Sequence, residues 1–251
     1  MITMENINRF CISRVFRIIY RQFLMSMKPW IIGIAATGGF LLGVFALQII
    51  TSGGNFNLDT YTAVGFVILF LGGYIFSSNI FNELQSPVKG HFYLLLPARI
   101  GEKLIASWLL SSIFYVIVSL LMLFLISFIL SGILALFFDG NMQLFQPFSD
   151  TALKATGSYL VTQTIFLLGS VYFRKFNFLK TLLAIFVVYM IIFIWTIIMV
   201  FTIIRPQDMM ATGMEDIHFK AQPEHLSTIF WYITGPFFLI VSYLRLKERQ
   251  V

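Results

Sequence analysis

Six long apolar runs, none carrying Asp, Glu, Lys, Arg or His, constrain this chain more than any motif in it. They cover residues 30–50, 61–80, 104–130, 156–173, 181–204 and 228–244. Most approach or exceed the ~20 residues that a helix needs to cross ~30 Å of hydrocarbon. In lipid, each backbone donor and acceptor has to be satisfied without water, which favours helices over irregular chain. Charged residues make up 11% of the sequence, against about 25% in soluble domains. The expected fold is therefore an all-α integral membrane protein with six transmembrane helices in a single domain over 1–251.

Several runs carry irregularities. Pro29 stands at a plausible start for the first span, and Thr51 to Thr60, with Gly53 and Gly54, reads as a turn-rich connection. The apolar stretch from Leu104 to Phe138 is too long for one straight crossing and too short for two with a turn. Ser131-Gly132 is the expected bend there, with Ile133 to Phe138 as an interfacial extension. Gln163, flanked by Thr162 and Thr164, suits hydrogen bonding between helices better than substrate recognition. Gly235-Pro236 is expected to kink the sixth span.

Residues 5–28 read as an amphipathic interfacial helix ahead of the first span, with an extension of that span or a partner-facing helix as the alternatives. Arg14, Arg17 and Arg21 recur at helical spacing and Lys28 continues the stripe, while Ile12, Val15, Phe16, Ile19 and Phe23 occupy the other side. The short basic start, apolar core and small-residue cleavage site of a signal peptide are missing. A net charge of +6 raises the question of nucleic acid, but the bases lie beside apolar runs. That placement favours anionic membrane lipids as partners and excludes a nucleic-acid role.

Charge bias sets the expected orientation. With six spans and both termini cytoplasmic, 14 of the 17 bases fall on the cytosolic side, leaving Lys154, Arg205 and Lys220 outside. Splitting Leu104–Phe138 into two spans would move Arg174, Lys175 and Lys180 outside, against the positive-inside rule. The segment 205–227 then becomes an extracellular loop.

Little in the chain suggests chemistry of its own. Gly33 to Gly39 is glycine-rich but lacks the Lys-Ser/Thr of a phosphate loop, and it suits close helix packing. His218 and His225, near Glu215, Asp216 and Glu224, read as a solvated polar loop rather than a metal site. The lone Cys11 permits no internal disulfide. Catalytic, cofactor-binding and metal-binding residues are therefore all expected to be absent. An ionisable group at mid-bilayer costs roughly 2.5–3.5 kcal/mol on insertion scales, and it usually persists where ion or proton coupling needs it. With none here, energy for any transport is expected to enter from outside the membrane.

That focuses attention on the polar loop 81–103. Pro87 and Gly90 break a helix leaving the second span, and Pro97 opens a new one. Phe92 to Leu96 are apolar but too few to cross, as in an interfacial segment or one held in a protein groove. A lipid-resting linker with no further role is the plainer alternative.

Phe81-Asn-Glu-Leu followed by Tyr93-Leu-Leu-Leu-Pro-Ala-Arg-Ile-Gly-Glu-Lys103 resembles the loop of small six-span ABC-type exporter permeases, close to L-P-x-S-x-x-E-K after the second span. The resemblance implies a cytoplasmic coupling helix that docks a separate cytosolic ATP-binding subunit, which binds the ATP. It also implies a second permease half, identical or not, a location in the bacterial inner membrane, and an extracellular gate in 205–227. Carried over, Glu83, Leu96, Pro97, Glu102 and Lys103 become candidates for docking or for shaping the docking element. Arg99 departs from the family serine. Ser-x-x-Glu is a capping box, and Arg99 cannot accept its hydrogen bond, so only the Glu102 half is expected, in a helix beginning near Arg99.

The implied function is ATP-driven export of a hydrophobic, amphipathic or peptide-like substrate by a non-enzymatic transport subunit. A membrane scaffold that anchors a cytosolic partner and transports nothing is the alternative. An integral-membrane enzyme is disfavoured because no acids, bases or ligands cluster in the sequence.

Overall fold

The computed structural model describes residues 10–85, 90, 93, 95, 98–138, 143–203 and 224–248. Among these, six long helices and no strand occur: α1 (Ile12–Thr51), α2 (Leu58–Asn79), α3 (Ile100–Phe137), α4 (Asp150–Tyr172), α5 (Asn177–Ile203) and α6 (Glu224–Glu248). Helices α1, α2, α3 and α5 are long and apolar enough to cross a membrane. Helices α4 and α6, of 23 and 25 residues, are more polar.

Local chemistry explains most boundaries. The Asn57 side chain caps α2 by accepting from the Thr60 N–H at 2.9 Å, and Ser149 caps α4 by accepting from Ala152 at 3.3 Å. Asp150 adds a negative charge to the first turn of α4, where the helix dipole favours it. Helix α4 thus begins six residues before the apolar run that suggested a span at 156. Hydropathy alone misses this start because the cap and first turn are polar.

Two expectations change. Residues 5–28 and 30–50 are not separate elements over their described part: α1 is one 40-residue helix with Pro29 inside it. Proline removes a single backbone hydrogen bond, and in a membrane body packed neighbours tolerate that loss. Likewise α3 continues as helix through Ser131 and Gly132 to Phe137, so Ile133 to Phe137 belong to the same element. At 1.5 Å per residue, α1 and α3 are each nearly twice as long as the hydrocarbon is thick, so each projects well beyond it.

Tyrosine hydroxyls join α2, α3 and α4 at depth. Tyr61 of α2 donates to the Leu123 carbonyl at 2.7 Å, Tyr115 of α3 to Leu69 at 3.0 Å, and Tyr159 of α4 to Ser111 at 2.9 Å. Ser111 belongs to a π-helical turn, Leu110–Phe114, and such a widened turn interrupts the regular backbone ladder. Beside it, Gln163 is fully buried and its Oε1 accepts from Ser77 at 2.8 Å and Ser111 at 3.3 Å. The interhelical role read for Gln163 is what its side chain performs.

Close packing at Gly73 is what lets Tyr159 reach Ser111, since a Cβ there would meet the Tyr159 ring and hydroxyl. Gly73→Ala is expected to destabilise the protein by about 1–3 kcal/mol through overpacking. Gly132→Ala, where a Cβ meets nothing within 4 Å, is expected to leave it unchanged or slightly firmer. Thermal unfolding in detergent compares the two.

Candidate functional site

The start of α3 is built around Glu102. Its Oε2 accepts the Arg99 N–H at 2.9 Å, the Glu102 half of a capping box, and Arg99 supplies no side-chain cap in return. Helix α3 begins directly after Arg99, as the spacing of Glu102 from Arg99 leads one to expect. Glu102 does more than cap, however. Its Oε1 accepts the Cys11 N–H at 2.8 Å and lies 3.3 Å from the Arg14 guanidinium. The carboxylate is 0% exposed, and a buried charge is tolerated only when paired and hydrogen-bonded. Three donors from two distant stretches meet that condition.

A second pair reinforces the first two turns further along α1, where Arg21 meets Glu83 at 3.1 Å. Between and beyond these pairs, Val15 and Ile18 pack on Ala106, and Gln22 donates to Ser107 at 2.9 Å. The N-terminal part of α1 is therefore clasped to α3 and to the end of α2. The basic stripe does not split as the sequence suggested. Arg14 and Arg21 turn inward towards acids, Arg17 and Lys28 stay exposed, and Ile12 and Phe16 face outward. Sequence spacing put Arg14 and Arg21 on the same side of the helix but could not show that Glu102 and Glu83 were their counter-ions.

Beneath the clasp lies a compact apolar cluster. Phe81, Tyr93, Leu104, Leu167, Val171 and Leu246 are buried together, bringing loop 81–103 against α4 and the end of α6. Lys103, only 1% exposed, stands 5.4 Å from the Tyr93 ring centroid, an arrangement in which ring and cation attract. Burial pushes the Tyr93 phenol well above its ordinary range. At the other edge of this end, Asn177 donates to the Ser78 carbonyl at 3.1 Å, and Arg245 lies 5.0 Å from the Tyr172 ring.

These contacts gather the charges at one end of the bundle. Arg14, Arg21, Glu83, Glu102 and Lys103 join there with Arg245, and Arg174, Lys175 and Lys180 flank the nearby start of α5. The opposite end, held by Phe45, Phe56, Tyr61 and Phe145, carries Asp59, Asp150 and Lys154 among the described residues.

The loop residues singled out from sequence therefore divide. Glu102 and Lys103 are interior and present no surface, while Glu83 is half-buried against Arg21. They can shape a docking element but not form its outer face. Arg99 and Leu95 are exposed, and Leu95 is a surface position that the motif did not single out. Leu96 and Pro97 lie outside the described residues, as do residues 5–9 and 205–223, His218 among them, whereas His225 falls in the first turn of α6. Among the described residues, no three His, Cys, Asp or Glu side chains are placed to hold a metal.

No protein family, curated protein or solved structure matches this chain.

Glu102→Gln is expected to cost about 2–3 kcal/mol, below the 3–5 kcal/mol of a fully buried pair because Arg14 is partly exposed. Thiol labelling at Cys11, whose backbone N–H loses its anionic acceptor, should accelerate in the same variant. Arg99→Ser restores a cap acceptor and is expected to raise stability by about 1 kcal/mol, read as an upward shift in Tm.

Proposed function

We propose that this chain is one membrane-spanning half of an ABC-type exporter, driven by a separate cytosolic ATP-binding subunit. The observation that carries the proposal is the clasp at the basic end of the bundle. It ties the first turn of α3 to α1 directly beside loop 81–103, the segment that resembles a coupling helix. A force applied to the loop would pass through Glu102 and Arg14 into two helices that each run the full depth of the bilayer.

Three further features support the reading. The apolar runs contain no ionisable group, so work has no entry point within the hydrocarbon. Bases collect at one end, which suits a cytosolic face with both termini inside and six crossings, α4 and α6 included. Helix α5 is exposed along nearly its whole length between Leu182 and Met199, which leaves a broad apolar surface for lipid or a second half. Its substrate in this reading is hydrophobic, amphipathic or peptide-like, and the membrane is the bacterial inner membrane. A scaffold that holds a cytosolic partner without transport would use the same loop.

The decisive measurement is co-purification with an ATPase encoded beside this chain, followed by ATPase rates in proteoliposomes. Leu95→Glu changes an exposed position only. It is expected to reduce stimulated turnover by about tenfold or more, equivalent to at least 1.4 kcal/mol, with Tm unchanged. Equal binding and stimulation by wild type and variant would remove the loop from the coupling route. Binding with no stimulation by either protein would favour the scaffold.

A further inference from the structure

Helices α1, α2 and α3 surround a cavity of about 340 Å³, within the range of small-molecule sites. Buried Gly65, Leu69 and Leu123 form its floor, and exposed Gly33, Ile34 and Ile75 stand at its mouth. The space exists because side chains are missing from its walls. A Cβ on Gly65 would come 2.7 Å from Leu123 Cδ2, and one on Gly72 would come 2.6 Å from the Tyr115 hydroxyl.

Shape and chemistry limit what enters. Along α2 the lining runs from Asn79 to Gly65, 14 residues or about 21 Å of helix axis. The Asn79 end lies one turn from Glu83 and its partner Arg21, at the charged end of the bundle. The other end lies deep among apolar side chains. No charged residue lines the cavity, and its main hydroxyls are already committed: Thr37 donates to the Gly33 carbonyl at 2.7 Å and Tyr115 to Leu69 at 3.0 Å. An apolar space of this kind does not hold water, which needs several polar partners. A peptide would bring a row of backbone groups, and besides the Trp30 indole N–H, Ser119 and Asn79 the lining offers little to satisfy them.

We propose that this groove binds a single hydrocarbon chain lying parallel to the helices, its polar end near Asn79. The source is a membrane phospholipid or a single-tailed amphiphile. The inference rests on the cavity and on the span-length helices around it, and it stands whether or not the chain is a permease.

The test uses full-length protein in phosphatidylethanolamine/phosphatidylglycerol nanodiscs with two photoreactive probes, palmitic acid and phosphatidylglycerol, each with a mid-chain diazirine. Mapped adducts are expected at the groove, on Ile34, Met122 and Leu123. Gly33→Phe fills the mouth without a clash, since a Cβ there meets nothing within 4 Å. It is expected to reduce groove labelling by about tenfold or more. Gly132→Phe, also built into open space, is expected to leave labelling unchanged, and Ile34→Trp serves as a second plug should Gly33→Phe fail to fold. Labelling by both probes identifies an ordinary lipid tail, whereas labelling by the fatty acid alone identifies a single-tailed amphiphile; either result supports the site. Adducts scattered over the outer surface, or groove adducts indifferent to both plugs, would overturn it.

Discussion

A carboxylate with no exposure, held by two backbone N–H groups and a guanidinium, is the interaction on which the charged end of this protein depends. Desolvating an ionised carboxylate costs several kcal/mol after relaxation, and only well-placed partners repay it. At Glu102 those partners come from residues 11, 14 and 99. The pairing therefore fixes two things together: where α3 begins and how α1 lies across it. Arg21–Glu83 adds less, because both groups are partly solvated and such pairs contribute about 1 kcal/mol or less.

Those constraints explain how much of the architecture was legible in the sequence. The α2, α5 and α6 helices each contain nearly all of an expected apolar run, because lipid leaves a backbone no other way to satisfy itself. Helices α2 and α5 begin three and four residues before theirs, and α6 extends four residues beyond its run at each end. The start of α3 was legible too, since Glu102 three residues after Arg99 is a local signal that a helix can act on by itself. Gln163 was readable as interhelical for a similar reason: an amide within an apolar run has few alternatives to a neighbouring helix.

What escaped the sequence was non-local. Arg14 and Glu102 are 88 positions apart, and Arg21 and Glu83 are 62 apart, so no periodicity links them. A stripe of arginines facing lipid headgroups and a stripe facing carboxylates look the same in one dimension. Pro29 misled in the opposite sense, because proline at a helix start and proline inside a packed membrane helix leave the same local trace. The π turn at Leu110–Phe114 left no readable mark either; Tyr159, which bonds to it, lies 48 residues away from Ser111.

The clasp and the π turn together suggest how motion would divide in such a body. Between Arg99 and Leu109 helix α3 is bound tightly to α1 by ionic, polar and apolar contacts. Beyond Phe114 it packs in the main apolar core, against α2 and again against α1 through Leu41, Phe45 and Ile49. The π turn lies at the boundary, where the backbone ladder is already irregular and a change of direction meets less resistance than in a regular helix. Tyr159 and Gln163 brace that boundary through Ser111. Helix α1 packs on α3 on both sides of that turn, so a displacement of the first ten residues of α3 would reach the core along α1 as well as through the braced turn. Uncharged side chains suit that role in lipid: exchanging one neutral hydrogen bond for another costs little, whereas an unpaired charge at that depth would oppose every intermediate position.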